Sequence, residues 1–132
     1  MKTHSHTAVW IDHKVARVLH IDVDSNETIL VHSTHPGQHL HHKANSIDSG
    51  HAATDKKFYE RVAEAMAGSA VILVVGPANA KTELVTHLKH SQPAIATRIS
   101  AVEPMDHPTD GQLLAHARRF FEADDLRRAH VL

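Results

Sequence analysis

The stretch Val71-Ile-Leu-Val-Val-Gly-Pro-Ala-Asn-Ala-Lys81 decides the fold. Five consecutive apolar residues, mostly β-branched, suit a strand covered on both faces, as in a layered α/β sheet. Gly76 permits a tight backbone turn, Pro77 fixes φ and removes a donor, and Asn79 can cap a helix whose apolar face is Leu84, Val85 and Leu88. A strand–turn–helix of this kind brings backbone N–H groups and Lys81 to the C-terminal edge of a sheet, where anionic ligands often sit. The same pattern also serves as a plain βα connection with no ligand.

Working outward, Thr7–Asp12, Val15–Asp22 and Thr28–His32 read as three strands, with Asp24-Ser25-Asn26 as turn chemistry and connections short enough to make an antiparallel meander. Residues 36–54 show neither periodicity and read as a long histidine-rich loop. Thr54 or Asp55 can cap a helix running to about Ala67, with Phe58, Val62, Ala65 and Met66 on one face, ended by Gly68-Ser69. After the Asn79–Lys89 helix, Pro93 breaks the chain and Ala96–Val102 reads as a last strand. Thr109 and Gln112 predict a capping box for a final helix with Leu113, Leu114, Ala117, Phe120 and Phe121 as its stripe; the charged Asp124–Arg128 segment continues it on the surface. The order β-β-β-α-β-α-β-α predicts a mixed α/β sheet of ribonuclease H-like architecture: a three-strand antiparallel meander plus two parallel strands, with about three helices. Residues 1–132 are expected to form a single domain.

Composition narrows function by exclusion. An apolar content of 42% with 22% charged residues is that of an ordinary water-soluble globular chain. No apolar run is long enough to span a bilayer, and Met1-Lys-Thr-His-Ser-His6 lacks a signal peptide's apolar core, so a cytoplasmic location without membrane partners is expected. The absence of cysteine excludes disulfides, thiol catalysis and Cys-based zinc sites. A net charge of −1 argues against a strongly basic nucleic-acid binder and against DNA specificity, although 15 histidines make that charge climb as the pH falls through about 6.5.

The residues bear on three chemistries. A two-metal nuclease needs converging carboxylates; Asp12 ends the first strand, but the central strand ends in Gly76-Pro77, and Glu60 and Glu64 suit a solvated helix face. A Walker-type site fails because the Gly76-to-Lys81 interval is one residue short and Ala80-Lys81-Thr82 replaces the Gly-Lys-Ser/Thr ending. Lys81 in a first helical turn opposes the helix dipole by about 0.3–1 kcal/mol, which suits an anionic partner or a side chain reaching elsewhere. His39, His41 and His42, flanked by His35 and His51, offer zinc or nickel a weak site with no high-specificity spacing, and His87 and His90 share a helix face at i, i+3. No resident cofactor is expected.

Four segments stand in a fixed order: Ala8-Val-Trp-Ile-Asp12 with Ala16-Arg-Val-Leu19, His35-Pro-Gly-Gln38, Phe58-Tyr-Glu-Arg-Val-Ala-Glu64 and Leu73-Val-Val-Gly-Pro-Ala-Asn-Ala-Lys-Thr-Glu-Leu84. Together they resemble the middle domain of the archaeal and eukaryotic peptide-chain release factors and Pelota, and more closely small bacterial release-factor-like translational machinery components. The resemblance implies a ribonuclease H-like fold and a long loop carrying Gly-Gly-Gln, the tripeptide that promotes peptidyl-tRNA hydrolysis. This chain departs there: the loop holds Gly37-Gln38 early and His41-His-Lys43 later, with no Gly-Gly-Gln, and the flanking codon-reading and partner-binding domains are absent from the sequence. The expectation is a stand-alone, non-enzymatic translation module touching ribosome or tRNA. Lys43, Lys56, Lys57, Lys81, Arg118 and Arg119 would supply phosphate contacts, with Gln38, Gly76 and Pro77 as contact points of the loop and turn. A His-loop metal binder and a degenerate hydrolase are the alternatives.

Overall fold

A run of β-branched residues buries both faces of a strand only when helices cover the sheet on both sides, and that is the arrangement found. The computed structural model describes residues 4–33 and 56–131. In chain order these form β1 (His4–Ile11), β2 (Val15–Ile21), β3 (Asn26–His32), α1 (56–66), β4 (Ser69–Gly76), α2 (Ala80–Ser91), α3 (Pro93–Ala96), β5 (Ile99–Pro104) and α4 (Asp110–Val131). The sheet order is β3-β2-β1-β4-β5, antiparallel within the meander and parallel from β1 through β5. The predicted mixed α/β sheet is therefore observed, with the short α3 making a fourth helix.

Strand alternation divides the core into two layers. Val9, Ile11, Ile72 and Val74 point to one face, where they pack with Phe58, Val62 and Met66 of α1 and Leu84 and Leu88 of α2. Ala8, Trp10, Leu73 and Val75 point to the other, covered by Leu113, Ala117 and Phe121 of α4. Trp10 is 1% exposed, and its indole Nε1 donates to the Asp106 carbonyl at 2.8 Å, so the β5–α4 connection is tied to β1. At the N-terminal edge, Ser69 Oγ lies 2.5 Å from Thr7 Oγ1, which lies 3.0 Å from His20 Nδ1, and His20 Nε2 lies 2.8 Å from the Ala65 carbonyl. Because a carbonyl only accepts, Nε2 carries a proton. In the neutral imidazole Nδ1 then accepts from the Thr7 hydroxyl, which accepts from Ser69.

Four local expectations need correction. Asn79 occupies the position before α2 but at φ −94°, ψ −10° it is already helical, and its side chain makes no capping bond. A cap residue needs extended backbone to swing its oxygen over the free N–H groups. Ala96 belongs to α3 rather than to a strand: Pro93 supplies the fixed φ of a first helical residue, Ile95 drops into the core, and β5 starts only at Ile99. Asp124 is buried, 3% exposed, and accepts from Arg127, so the end of α4 is not a uniformly solvated face. Gly76 does not serve a left-handed turn, since among the described residues positive φ occurs at Gly68 (φ 88°), which terminates α1. A Cβ on Gly76 would instead collide with the Ile11 carbonyl oxygen of the neighbouring strand. The capping box of α4 is present: Gln112 N donates to Thr109 Oγ1 at 3.1 Å, and Thr109 N donates to Gln112 Oε1 at 2.9 Å.

Candidate functional site

The parallel strands β1, β4 and β5 end together, and α2 and α4 start at that end, so the β1–β2, β4–α2 and β5–α4 connections bring their polar groups to the sheet's C-terminal edge. Asp12 closes the β1–β2 hairpin there: its Oδ1 accepts from the backbone N–H of Lys14 and Val15 at 2.8 and 2.9 Å. Its Oδ2 lies 3.6 Å from His107 Nε2. This is Asx-turn chemistry, and it occupies the one carboxylate suited to a nuclease. Glu60 and Glu64 are exposed on α1. Among the described residues no group of three or more His, Asp or Glu is placed to hold a metal ion.

On the α1/α2 face, Glu83 Oε1 accepts from Tyr59 Oη at 2.7 Å and lies 3.3 Å from His13 Nε2. This bridge joins the first hairpin, α1 and the first turn of α2. On the α4 face, the Arg17 guanidinium sits 4.7 Å over the Trp10 ring and pairs with Asp110 at 2.9 Å. His107 packs against the same indole, with centroids 5.0 Å apart. The edge thus combines fixed ion pairs with the exposed amines of Lys14, Lys56 and Lys57.

The residues expected to contact RNA divide between two regions. Lys56 and Lys57 are exposed on the first turn of α1. Lys81, half-buried in the first turn of α2, donates from Nζ to the Ala78 carbonyl, so it holds its own turn together. Gly76 and Pro77 lie at the end of β4, with Gly76 buried between strands. Arg118 departs from this group. It sits two turns into α4 on the opposite face of the sheet, and its guanidinium reaches the Asp22 carbonyl at 3.3 Å, at the far end of β2. That end is a groove of about 260 Å³ lined also by the acids Asp22, Glu122 and Asp125, unlike a phosphate site. Arg119 is exposed on α4. Gln38, Lys43, His39, His41 and His42, with His35 and His51, lie outside the described residues.

His87 is the titratable group whose environment is most distinctive. Burial lowers its pKa below the ordinary 6.5; Glu60 opposes this shift, while Lys56 and His90 add to it. Its Nε2 is buried without a hydrogen-bond partner among the described residues. The ring lies 6.0 Å from that of Tyr59. A neutral His87 adds no positive charge to this surface near neutral pH. Lys14, Tyr59 and Glu83 escaped the sequence reading of the site. The signal for Lys14 was present as the polar Asp12-His13-Lys14 between two apolar runs, whereas the Tyr59–Glu83 bond joins residues on separate helices.

No protein-family model and no curated protein sequence matches the chain. Solved structures do. The chain is similar to Pelota of Archaeoglobus fulgidus, with a TM-score of 0.60 and 16% identity over 89% of this chain and 32% of that one. An archaeal translation termination factor, aRF1, matches at 0.59 and 13% identity over 96% of this chain and 40% of its own. Pelota of Thermoplasma acidophilum matches at 0.56 and 16% identity over 83% and 30%. The chain spans well under half the length of each. Over most of its length it has a fold found within these translation factors.

Proposed function

We propose that the protein is a translation-associated binding module that contacts ribosomal or transfer RNA through the C-terminal edge of its sheet and does not hydrolyse peptidyl-tRNA. The observation that carries this reading is the fold likeness to aRF1 and two Pelota proteins across 83–96% of the chain. Lys14, Lys56 and Lys57 supply exposed amines on that edge, suited to phosphate contacts that position without reading sequence. Arg118 drops out of the contact surface on geometric grounds, because its guanidinium faces the opposite end of the sheet. The sequence lacks Gly-Gly-Gln, and the carboxylate nearest the edge is engaged in a hairpin turn, which supports binding without turnover.

Co-sedimentation with ribosomes tests the reading. The protein is expected in the ribosomal pellet at low salt and in the supernatant as salt rises, the signature of a phosphate-dominated contact. Lys14→Glu/Lys56→Glu/Lys57→Glu is expected to weaken pelleting at least about tenfold, whereas Arg118→Glu is expected to leave it unchanged. Absence from the pellet in low salt at both about pH 6 and about pH 7.5 overturns the proposal.

A further inference from the structure

A five-stranded sheet has two edges, and here they are built differently. The β5 edge ends in Pro104, and the β4–β5 ladder carries a register shift between Ile72 and Leu73, both features that blunt an edge against further pairing. The β3 edge has neither. Its ladder with β2 runs unbroken from Asn26↔Ile21 to His32↔Val15, with no proline and no bulge.

The phase of that ladder fixes which backbone groups face outward. Asp22 N donates to the Ser25 carbonyl, and Ser33 N donates to the Lys14 carbonyl. Antiparallel bonding alternates along a strand, so the odd-numbered residues of β3 bond to β2 while Asn26, Thr28, Leu30 and His32 turn their N–H and C=O groups away from it. Arg61 Nη2 donates to the His32 carbonyl and closes that end. Asn26, Thr28 and Leu30 are exposed, and among the described residues no strand lies beyond them. Leu30 leaves 56% of its surface in water, and Val23, at the turn of the same hairpin, leaves 91%.

We propose that β3 is the docking edge for a second copy of this chain, paired antiparallel about a two-fold axis at Ile29, so that the sheet continues from one protomer into the next. The choice of occupant rests on self-complementarity. An axis at Ile29 sets Thr28 opposite Leu30 on both sides, so each free N–H and C=O of these residues meets a free partner. Glu27, the acid on the strand, then faces the apolar Val31 rather than a like charge. His32, whose carbonyl is engaged by Arg61, falls at the margin opposite Asn26. The surface is separate from the lysine-bearing edge, and the pairing does not depend on RNA contact.

Sedimentation velocity of the intact protein from about 1 μM to about 1 mM is the first measurement, with a concentration-dependent dimer expected. Thr28→Pro removes an outward donor that β2 does not use and is expected to weaken dimerisation at least about tenfold with an unchanged urea midpoint. Leu30→Lys is the second variant, needed where proline disturbs folding; it keeps the backbone and is expected to weaken the dimer through two cations brought close. The cysteine-free sequence allows a register test. Mild oxidation of a mixture of Thr28→Cys and Leu30→Cys proteins is expected to yield the mixed disulfide faster than either variant links to itself. A monomer throughout the range, a dimer indifferent to both edge variants, or self-linking as fast as mixed linking overturns the proposal.

Discussion

Replacing Gly76 with alanine separates two roles that one glycine can play. If it served a left-handed turn, the penalty would come from backbone conformation. The positive φ instead belongs to Gly68, and a Cβ on Gly76 would run into the Ile11 carbonyl oxygen. That oxygen is main chain of the fully buried Ile11 on a central strand, so it cannot rotate away as a side chain would. Overpacking a core costs about 1–3 kcal/mol, and a rigid backbone neighbour puts this substitution at about 3 kcal/mol. With a urea m-value of about 1.5 kcal/mol per M, the unfolding midpoint should fall by about 2 M. Gly111→Ala is the internal control: its Cβ would meet Thr109 Oγ1 at 4.0 Å, and alanine in the first turn of α4 should be neutral or stabilise by up to about 1 kcal/mol. Equilibrium urea titration by circular dichroism measures both. A Gly76→Ala protein within about 0.5 kcal/mol of wild type would refute the argument, because no close approach of β1 and β4 would then require glycine.

Gly68→Ala forces a side chain into φ 88° and should cost about 1–2 kcal/mol by the same titration. Thr109→Ala removes the acceptor for Gln112 N and should cost about 1 kcal/mol, with helical signal lost from α4. For His87 the folded pKa is lowered, so the unfolded chain binds more protons in the window below about 6.5, and stability rises with pH there. That contribution is complete above the window and is lost as the pH falls through it; His87→Gln should make the pH–stability curve shallower in this window, and an unchanged slope would count against the assignment. Tyr59→Phe removes the donor to Glu83 and should cost about 1–2 kcal/mol, read from the urea midpoint.

The fold was legible wherever periodicity reported burial directly. The Val71–Val75 run and the Phe58–Val62–Met66 stripe announce a doubly covered strand and a one-faced helix, because a strand or helix can bury only what its repeat presents. The capping box at Thr109 was readable for a related reason, since both partners lie within one turn. What failed depends on distant chain. Gly76 carries a turn signature, but its constraint comes from Ile11, far away in sequence. Asp124 looks like surface charge until the fold turns it inward. Arg118 and Lys81 look alike in composition, and only the placement of α2 and α4 on opposite faces separates them. Composition finds basic residues; topology decides whether they share a surface.

The Ser69–Thr7–His20–Ala65 chain of hydrogen bonds has a consequence for how the strands find each other. Apolar side chains tolerate sliding, and a β1 of alanine, valine and isoleucine shifted by two residues would still present greasy atoms to both layers. The hydroxyl and imidazole groups do not tolerate it, since each is buried and bonded to defined positions on other elements. A slipped sheet would strand all three in an apolar interior. The relay is therefore a combination lock on alignment: it adds little to attraction between strands, yet it penalises every misregistered sheet. Amide and imidazole protons around Thr7 and His20 should consequently exchange with solvent only when the whole sheet opens.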